Sequence, residues 1–151
     1  GDFEIDTVIQ TRAKNECLLT LTDRKSRYQI IRLIPDKSAF SVNQALKAIL
    51  KDYQMNSITA DNGAEFSRLA EVFDPTHIYY AHPYSSWERG TNENHNRLIR
   101  RWLPKGSKNA TQQQVAFIET GLTTIQRNYS IINLLKSFYR LANLNLKFGK
   151  K

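Results

Sequence analysis

Three acidic residues occupy positions where carboxylates could act together. Asp6 lies within the strand-like stretch FEIDTVIQ, Asp61 directly follows the strand-like NSITA, and Glu93 lies on a predicted helix. Clustered carboxylates repel one another, and a pair of Mg²⁺ or Mn²⁺ ions would relieve that repulsion. If the three side chains converge, these residue types favour two-metal chemistry on a phosphodiester.

Each acid also has an ordinary structural explanation. The sequence DNG at 61–63 is common turn chemistry, and Glu93 near a helix N-terminus could simply offset the helix dipole. Glu4 alternates onto the same face of its strand as Asp6 and is the alternative candidate for that role. Glu65 is interpreted as an ordinary acid at a helix start and is not included in the site.

The hydrophobic patterns predict the elements that would position these acids. They are strand 3–10, a hairpin of strands 17–23 and 27–34, a helix capped by Ser38, strand 56–60, a short helix at 66–73, strand 76–81, and helices at 92–103 and from Thr111, where Gln114 completes a capping box. This order predicts an α/β fold, with a central mixed five-stranded sheet flanked by helices. The crossover helix would lay strand 56–60 parallel to strand 3–10, with Asp6 beside Asp61.

The predicted helix 92–103 has two different sides. On a helical wheel its apolar side, predicted to face the sheet, carries His95, Leu98, Ile99 and Trp102. The opposite side carries Glu93 among basic and amide residues, which would contact a phosphate backbone. The residues predicted to bind DNA are Trp87, Arg89, Asn96, Arg97, Arg100, Arg101 and Lys105. Trp87 would stack on an unpaired base, although a loop anchor is an equally good interpretation, and the basic residues could be plain solvated charges.

Charge is unevenly placed along the chain. The 151 residues carry a formal net charge of +8, of which residues 1–85 contribute −1 and residues 86–151 contribute +9. A basic half of this kind indicates a polyanionic partner, most often nucleic acid.

The single Cys17 lies in an apolar run and is predicted to be a buried thiol. With no signal-peptide pattern and no long apolar run, we expect a cytoplasmic protein with no membrane segment.

Four blocks of sequence resemble the catalytic core of IS30-family bacterial transposases. They are DTVI at 6–9, TDRKSRY at 22–28, TADNGAEF at 59–66 and HPYSSWERGTNENHNRLIRRWLPKG at 82–106. The resemblance covers residues 2–110 and implies the RNase H-like fold of the wider integrase and transposase superfamily. It also implies a DDE triad of Asp6, Asp61 and Glu93 that binds two Mg²⁺ or Mn²⁺ ions.

The family resemblance implies metal-dependent cleavage of DNA at insertion-sequence ends, followed by attack of a 3′-hydroxyl on target DNA. The implied partners are these DNA ends and the target, with a homodimer or higher oligomer in the active complex and a nucleoid-associated, cytoplasmic location. Two alternatives remain open at this point. One is an inactive DNA-binding remnant of a transposase, and the other is an RNase H-like nuclease that only hydrolyses.

The resemblance does not extend along the whole chain. We predict a catalytic core over residues 1–125 and a basic segment over residues 126–151 that departs from the family pattern. That segment carries six Lys or Arg and no acid from residue 126 onward, and a frameshifted or decayed end is our hypothesis for it. The helix-turn-helix region that precedes the core in the family has no counterpart here, so we interpret the chain as a fragment of a longer transposase.

Overall fold

Five strands and three helices make up the regular structure of the described residues. The computed structural model describes residues 1–9, 16–82, 90–107, 110–125 and 128, with the backbone alone for residues 90–93. The strands are β1 (Asp2–Ile9), β2 (Cys17–Asp23), β3 (Gln29–Ile34), β4 (Ser57–Ala60) and β5 (Ile78–Tyr80). The helices are α1 (Ala39–Asp52), α2 (Gly90–Trp102) and α3, residues 112–125.

The strands form one mixed sheet in the order β3-β2-β1-β4-β5. β1, β2 and β3 pair antiparallel, whereas β4 runs parallel to β1 and to β5. Parallel neighbours need a crossover connection, and α1 supplies it between β3 and β4. The predicted α/β fold with a mixed five-stranded sheet is confirmed, including the parallel pairing of β4 with β1.

Local signals set the starts of two helices. The Ser38 hydroxyl accepts a hydrogen bond from the amide of Ser41 at 3.1 Å, which caps α1 as predicted. Thr111 and Gln114 exchange side-chain and backbone hydrogen bonds of 3.0 and 3.2 Å at the start of α3. The predicted capping box is therefore confirmed.

Alternation along β1 divides the core between the two faces of the sheet. On one face, Phe3 and Ile5 pack with Val42, Leu46 and Ile49 of α1. On the other face Val8 packs in a second cluster, whose members from the helical region are Ile99, Leu103, Val115, Ile118 and Leu122. Because successive side chains point to opposite faces, Asp6 shares the α2 face with Val8, while Thr7 shares the α1 face with Ile5.

Two expectations about helices are wrong. Residues 66–73 do not form an α-helix, and 3₁₀ turns at Ala64–Phe66 and Leu69–Glu71 take their place. Trp102 does not face the sheet, because it is 52% exposed and meets Phe117 edge-on with ring centroids 5.6 Å apart. Ile99 and Leu103 are buried instead, so they occupy the space against the sheet. In the described part of the chain, no helix combines the length and apolar character needed to cross a membrane.

Candidate active site

Asp6 lies within β1, and Asp61 directly follows β4, its parallel neighbour. The last pair between the two strands is Glu4 with Thr59. Asp6 and Asp61 each follow this pair by two residues, so they leave the β1–β4 pairing at the same end although 54 residues separate them in the sequence.

Hydrogen bonds fix the orientation of Asp6. Its Oδ1 accepts from the backbone amide of Thr7 at 2.9 Å, and its Oδ2 accepts from Asn96 Nδ2 at 2.8 Å. Asn96 belongs to α2, so this bond ties the helix to the sheet at the acid. Asn96 Oδ1 is buried without a hydrogen-bond partner among the described residues.

The turn after β4 brings a second carboxylate close to Asp61. Asp61 Oδ1 accepts from the amide of Gly63 at 2.9 Å, closing an Asx turn. A Cβ on Gly63 would stand 2.8 Å from Asp61 Oδ1 and 2.5 Å from Glu65 Oε2. Only a residue without a side chain leaves room for both carboxylates, which gives the glycine of the DNG block a steric reason.

Glu65, which sequence reasoning left out, is one of the most buried acids of the described chain. It is 5% exposed, and its Oε1 lies 2.8 Å from Lys37 Nζ and 3.1 Å from Thr7 Oγ1. The hydrogen bond to Glu65 is the main cause that raises the pKa of Lys37, and the charges of Glu65, Asp61 and Asp6 raise it further. Lys37 therefore lies within the field of all three carboxylates.

Glu93, the third predicted metal ligand, lies on the same helix as Asn96. Glu93 lies in the first turn of α2, three residues before Asn96, and residues at this spacing share a helix face. Its side chain lies outside the described residues. Among the side chains that are described, no three His, Cys, Asp or Glu residues form a group that could hold a metal ion.

The residues predicted to bind DNA have different surroundings. Arg97, Arg101 and Lys105 are exposed, on or just beyond α2. Arg100 is half-buried and donates to the carbonyl of Ile9, and burial lowers the pKa of its guanidinium. Asn96 contacts Asp6, as described above. Trp87 and Arg89 lie outside the described residues.

Several alternative candidates have structural roles. Glu4 is buried in an ion pair with Arg24 at 3.2 Å. Asp23 accepts from the amide and hydroxyl of Ser26 in the β2–β3 turn. Cys17 is fully buried, and burial raises the pKa of its thiol to about 11. The prediction of a buried thiol is confirmed, and nucleophilic chemistry at Cys17 is disfavoured because little thiolate forms at neutral pH.

Solved structures of integrase cores share this fold. The catalytic core domain of BIV integrase matches with a TM-score of 0.61 over 78% of this chain and 80% of that chain, at 16% identity. A chain of the simian T-cell lymphotropic virus intasome in complex with PP2A regulatory subunit B56 gamma matches with a TM-score of 0.63, covering 78% of this chain and 46% of that chain. The molecule therefore has the RNase H-like fold of integrase catalytic cores, as predicted.

In sequence, the chain is similar to bacterial transposases. The probable transposase for insertion-like sequence element IS1161 of Streptococcus salivarius is 48% identical over 107 residues, 70% of this chain and 31% of the relative. The transposase for IS4351 of Bacteroides fragilis is 39% identical over 133 residues, 84% of this chain and 40% of the relative. Transposase InsI for IS30A of Escherichia coli strain K12 is 44% identical over 110 residues, 70% of this chain and 28% of the relative.

The chain is thus a relative of the insertion-sequence transposases that include IS30, and the resemblance indicated by its motifs is confirmed. It spans between 28% and 40% of the length of these three relatives. No family model matches the chain.

Proposed function

We propose that the chain is the catalytic core of a DDE transposase. It would cleave DNA strands at insertion-sequence ends and transfer a 3′-hydroxyl to target DNA with two divalent ions. The observation that supports this proposal is the parallel pairing of β1 with β4, in which Asp6 and Asp61 each follow the last pair by two residues. Helix α2 bonds Asp6 through Asn96 and carries Glu93 in its first turn. The similarity of the chain to transposases of insertion sequences supports the reaction class.

The residues at this end of the sheet fit a hard divalent cation. Asp6 and Asp61 offer carboxylate oxygens, the ligands that Mg²⁺ and Mn²⁺ prefer. The buried Asn96 Oδ1 has no partner among the described residues, and a water ligand of an ion would satisfy it. Asp6, Asp61 and Glu93 would hold the ions. Bound there, the ions supply activation of a water or hydroxyl and stabilisation of the leaving oxygen of the phosphodiester.

The chain itself contributes orientation before any substrate binds. Asn96 and the amide of Thr7 direct the two oxygens of Asp6, and the amide of Gly63 directs Asp61. Because these bonds exist in the free protein, little reorganisation is needed at the moment of reaction.

The exposed basic residues next to the site would hold the DNA backbone. Arg97, Arg101 and Lys105 are the described members of this set, and Trp87 and Arg89 stay in it as proposed contacts. Arg100 also stays, although its bond to Ile9 leaves it less available. The active complex would be a homodimer or higher oligomer on DNA. The relatives are much longer, so end recognition and assembly would depend on further parts of a whole transposase.

Replacing Glu93 with Gln tests the triad. We expect weak, Mn²⁺-dependent nicking of a duplex that carries insertion-sequence ends by the unmodified chain, and loss of nicking to background in Glu93→Gln, because the amide is a poor ligand for a hard cation. DNA affinity should stay within about twofold, since the phosphate contacts are basic residues. Nicking is measured on gels and binding by fluorescence anisotropy.

The exposed acid Glu71, which pairs with Arg68 on the surface, offers a matched control. Glu71→Gln should nick as the unmodified chain does. Undiminished nicking by Glu93→Gln would contradict the assignment of the triad. DNA binding without any nicking would favour the alternative of an inactive remnant, and cleavage without joined products in a complete synaptic assembly would favour a hydrolytic nuclease.

A further inference from the structure

An ion pair between a buried carboxylate and a partly exposed lysine lies next to the proposed catalytic carboxylates and has no part in the reaction as proposed above. The Glu65 side chain is 6% exposed, whereas the Lys37 side chain is 43% exposed and reaches in from the connection between β3 and α1. Their atoms Oε1 and Nζ lie 2.8 Å apart. A buried carboxylate depends on such partners, because an unpaired charge in the interior is strongly destabilising.

Glu65 connects the two strands that carry the catalytic aspartates. Its Oε1 accepts from Thr7 Oγ1 at 3.1 Å, and Thr7 is the residue whose amide binds Asp6. Its Oε2 approaches Gly63, whose amide binds Asp61. One carboxylate thus bonds the residue after Asp6 and lies close to the glycine whose amide binds Asp61, and Lys37 pairs with it from a third segment of the chain.

The Lys37 ammonium acts electrostatically on the whole group. Asp61 and Asp6, as well as Glu65, raise the pKa of Lys37 by their charge, after the hydrogen bond to Glu65. The interaction is reciprocal, so the ammonium stabilises the negative charge of all three acids. A divalent cation at Asp6 and Asp61 would be repelled by the same ammonium, in a region where burial of Glu65 reduces screening by salt.

We propose that Lys37 and Glu65 are positioning residues of the metal site, and that the Lys37 ammonium is a tethered cation that stabilises the ion-free site and weakens divalent-ion binding. This inference rests on the proposed function of Asp6 and Asp61 as metal ligands. Lys37 is not a proposed metal ligand, so it acts on the ion through its charge and through its pairing with Glu65. Glu65 has the opposite effect on the ion and, in addition, orients the two aspartates.

Lys37→Met and Glu65→Gln should have opposite effects on Mn²⁺ binding, and this difference provides the test. Mn²⁺ binding to the 151-residue chain, measured by electron paramagnetic resonance without DNA at mildly alkaline pH, should become about fivefold tighter or more in Lys37→Met. It should become about fivefold weaker or more in Glu65→Gln, where the ammonium lacks its partner. The double variant restores the net charge and Lys37→Arg keeps it, so both should stay within about twofold of the unmodified chain.

Thermal unfolding without metal gives an independent measurement. Lys37→Met should lower the melting temperature of the ion-free chain, and saturating Mn²⁺ should raise it by more than in the unmodified chain, because tighter binding gives a larger linked shift. General damage to the fold would weaken Mn²⁺ binding, which is the opposite of the expected result. If Lys37→Met does not fold, Glu65→Gln decides the question, and unchanged or tighter binding in that variant would overturn the inference.

The Asp61→Asn variant separates the two proposals. If Mn²⁺ binding is absent or is the same in Asp61→Asn, the proposed metal site fails and this inference fails with it. If binding depends on Asp61 but Lys37→Met binds Mn²⁺ equally or more weakly, the inference alone is overturned. Tighter binding in Lys37→Met together with weaker binding in Glu65→Gln would establish it.

Discussion

At the scale of the residue, Gly63 decides whether two carboxylates can lie close together. Its backbone angles, φ −65° and ψ 143°, suit any residue, so a substitution there strains no dihedral. The conflict is steric, since a Cβ would stand 2.5 Å from Glu65 Oε2 and 2.8 Å from Asp61 Oδ1. Both side chains would have to move, and one of them is a proposed metal ligand.

We therefore expect Gly63→Ala to reduce Mn²⁺-dependent nicking by about 100-fold, because displacements near 1 Å have effects of that size at active sites. Overpacking should also lower the free energy of unfolding by about 1–2 kcal/mol. Nicking on gels and urea denaturation measure the two effects.

Gly121→Ala is the matched control for Gly63→Ala. Gly121 lies in α3, and an added Cβ there would meet no atom within 4 Å. Replacing a helical glycine with alanine should raise the free energy of unfolding by about 0.5–1 kcal/mol and leave nicking unchanged. If both glycine variants nick like the unmodified chain, Gly63 does not shape the site.

At the scale of the element, α3 is hydrogen-bonded to an edge strand of the sheet. β3 is an edge strand, and the amide of Ile31 donates to Glu119 Oε2 of α3 at 2.7 Å. Arg32 Nη1 donates to the same oxygen at 2.7 Å. Glu119 thereby pairs a backbone amide that would otherwise lie on the open edge of the sheet.

Glu119→Ala should lower the free energy of unfolding by about 1–3 kcal/mol, because it removes an acceptor that is shared by a backbone amide and a guanidinium. Glu71→Ala is the control, since Glu71 and Arg68 form a pair in which both side chains are more than half exposed. Its loss should cost less than about 0.5 kcal/mol. Equal losses in urea denaturation would show that Glu119 does not secure α3.

Among the helices and strands, some features could be predicted from the sequence. The caps at Ser38 and Thr111 were predictable because the residues that form them lie within a few positions of one another. The parallel pairing of β4 with β1 followed from the crossover rule, and the structure confirms that pairing. These signals are local, or depend only on the order of the elements.

Other features depend on contacts between distant segments. The turns around 66–73 are held in part by Asn43 of α1, whose side-chain amide donates to the carbonyl of Arg68 at 2.7 Å, and hydrophobic periodicity contains no information about that bond. The pairing of Lys37 with Glu65 could not be predicted either. The two residues lie in different connections and meet only after α1 has crossed the sheet.

At the scale of the whole molecule, exposed basic residues lie on the helices of both faces of the sheet. The proposed DNA-binding residues Arg97 and Arg101 are exposed on α2, which packs on one face. Lys47 and Lys51 are exposed on α1, which packs on the other face. The two pairs carry equal charge, so a comparison between them separates a specific DNA-binding face from general electrostatic attraction.

Arg97→Gln/Arg101→Gln should weaken duplex DNA binding and reduce the slope of log affinity against log salt by about 2, since each lost phosphate contact removes roughly 0.9. Lys47→Gln/Lys51→Gln lowers the net charge by the same amount but removes no proposed contact, so its slope should change by less than about 0.5. Fluorescence anisotropy over a series of salt concentrations measures both. Equal slopes in the two variants would mean that DNA responds to the net charge of the chain. The helix face that carries Glu93 would then make no specific contribution to DNA binding.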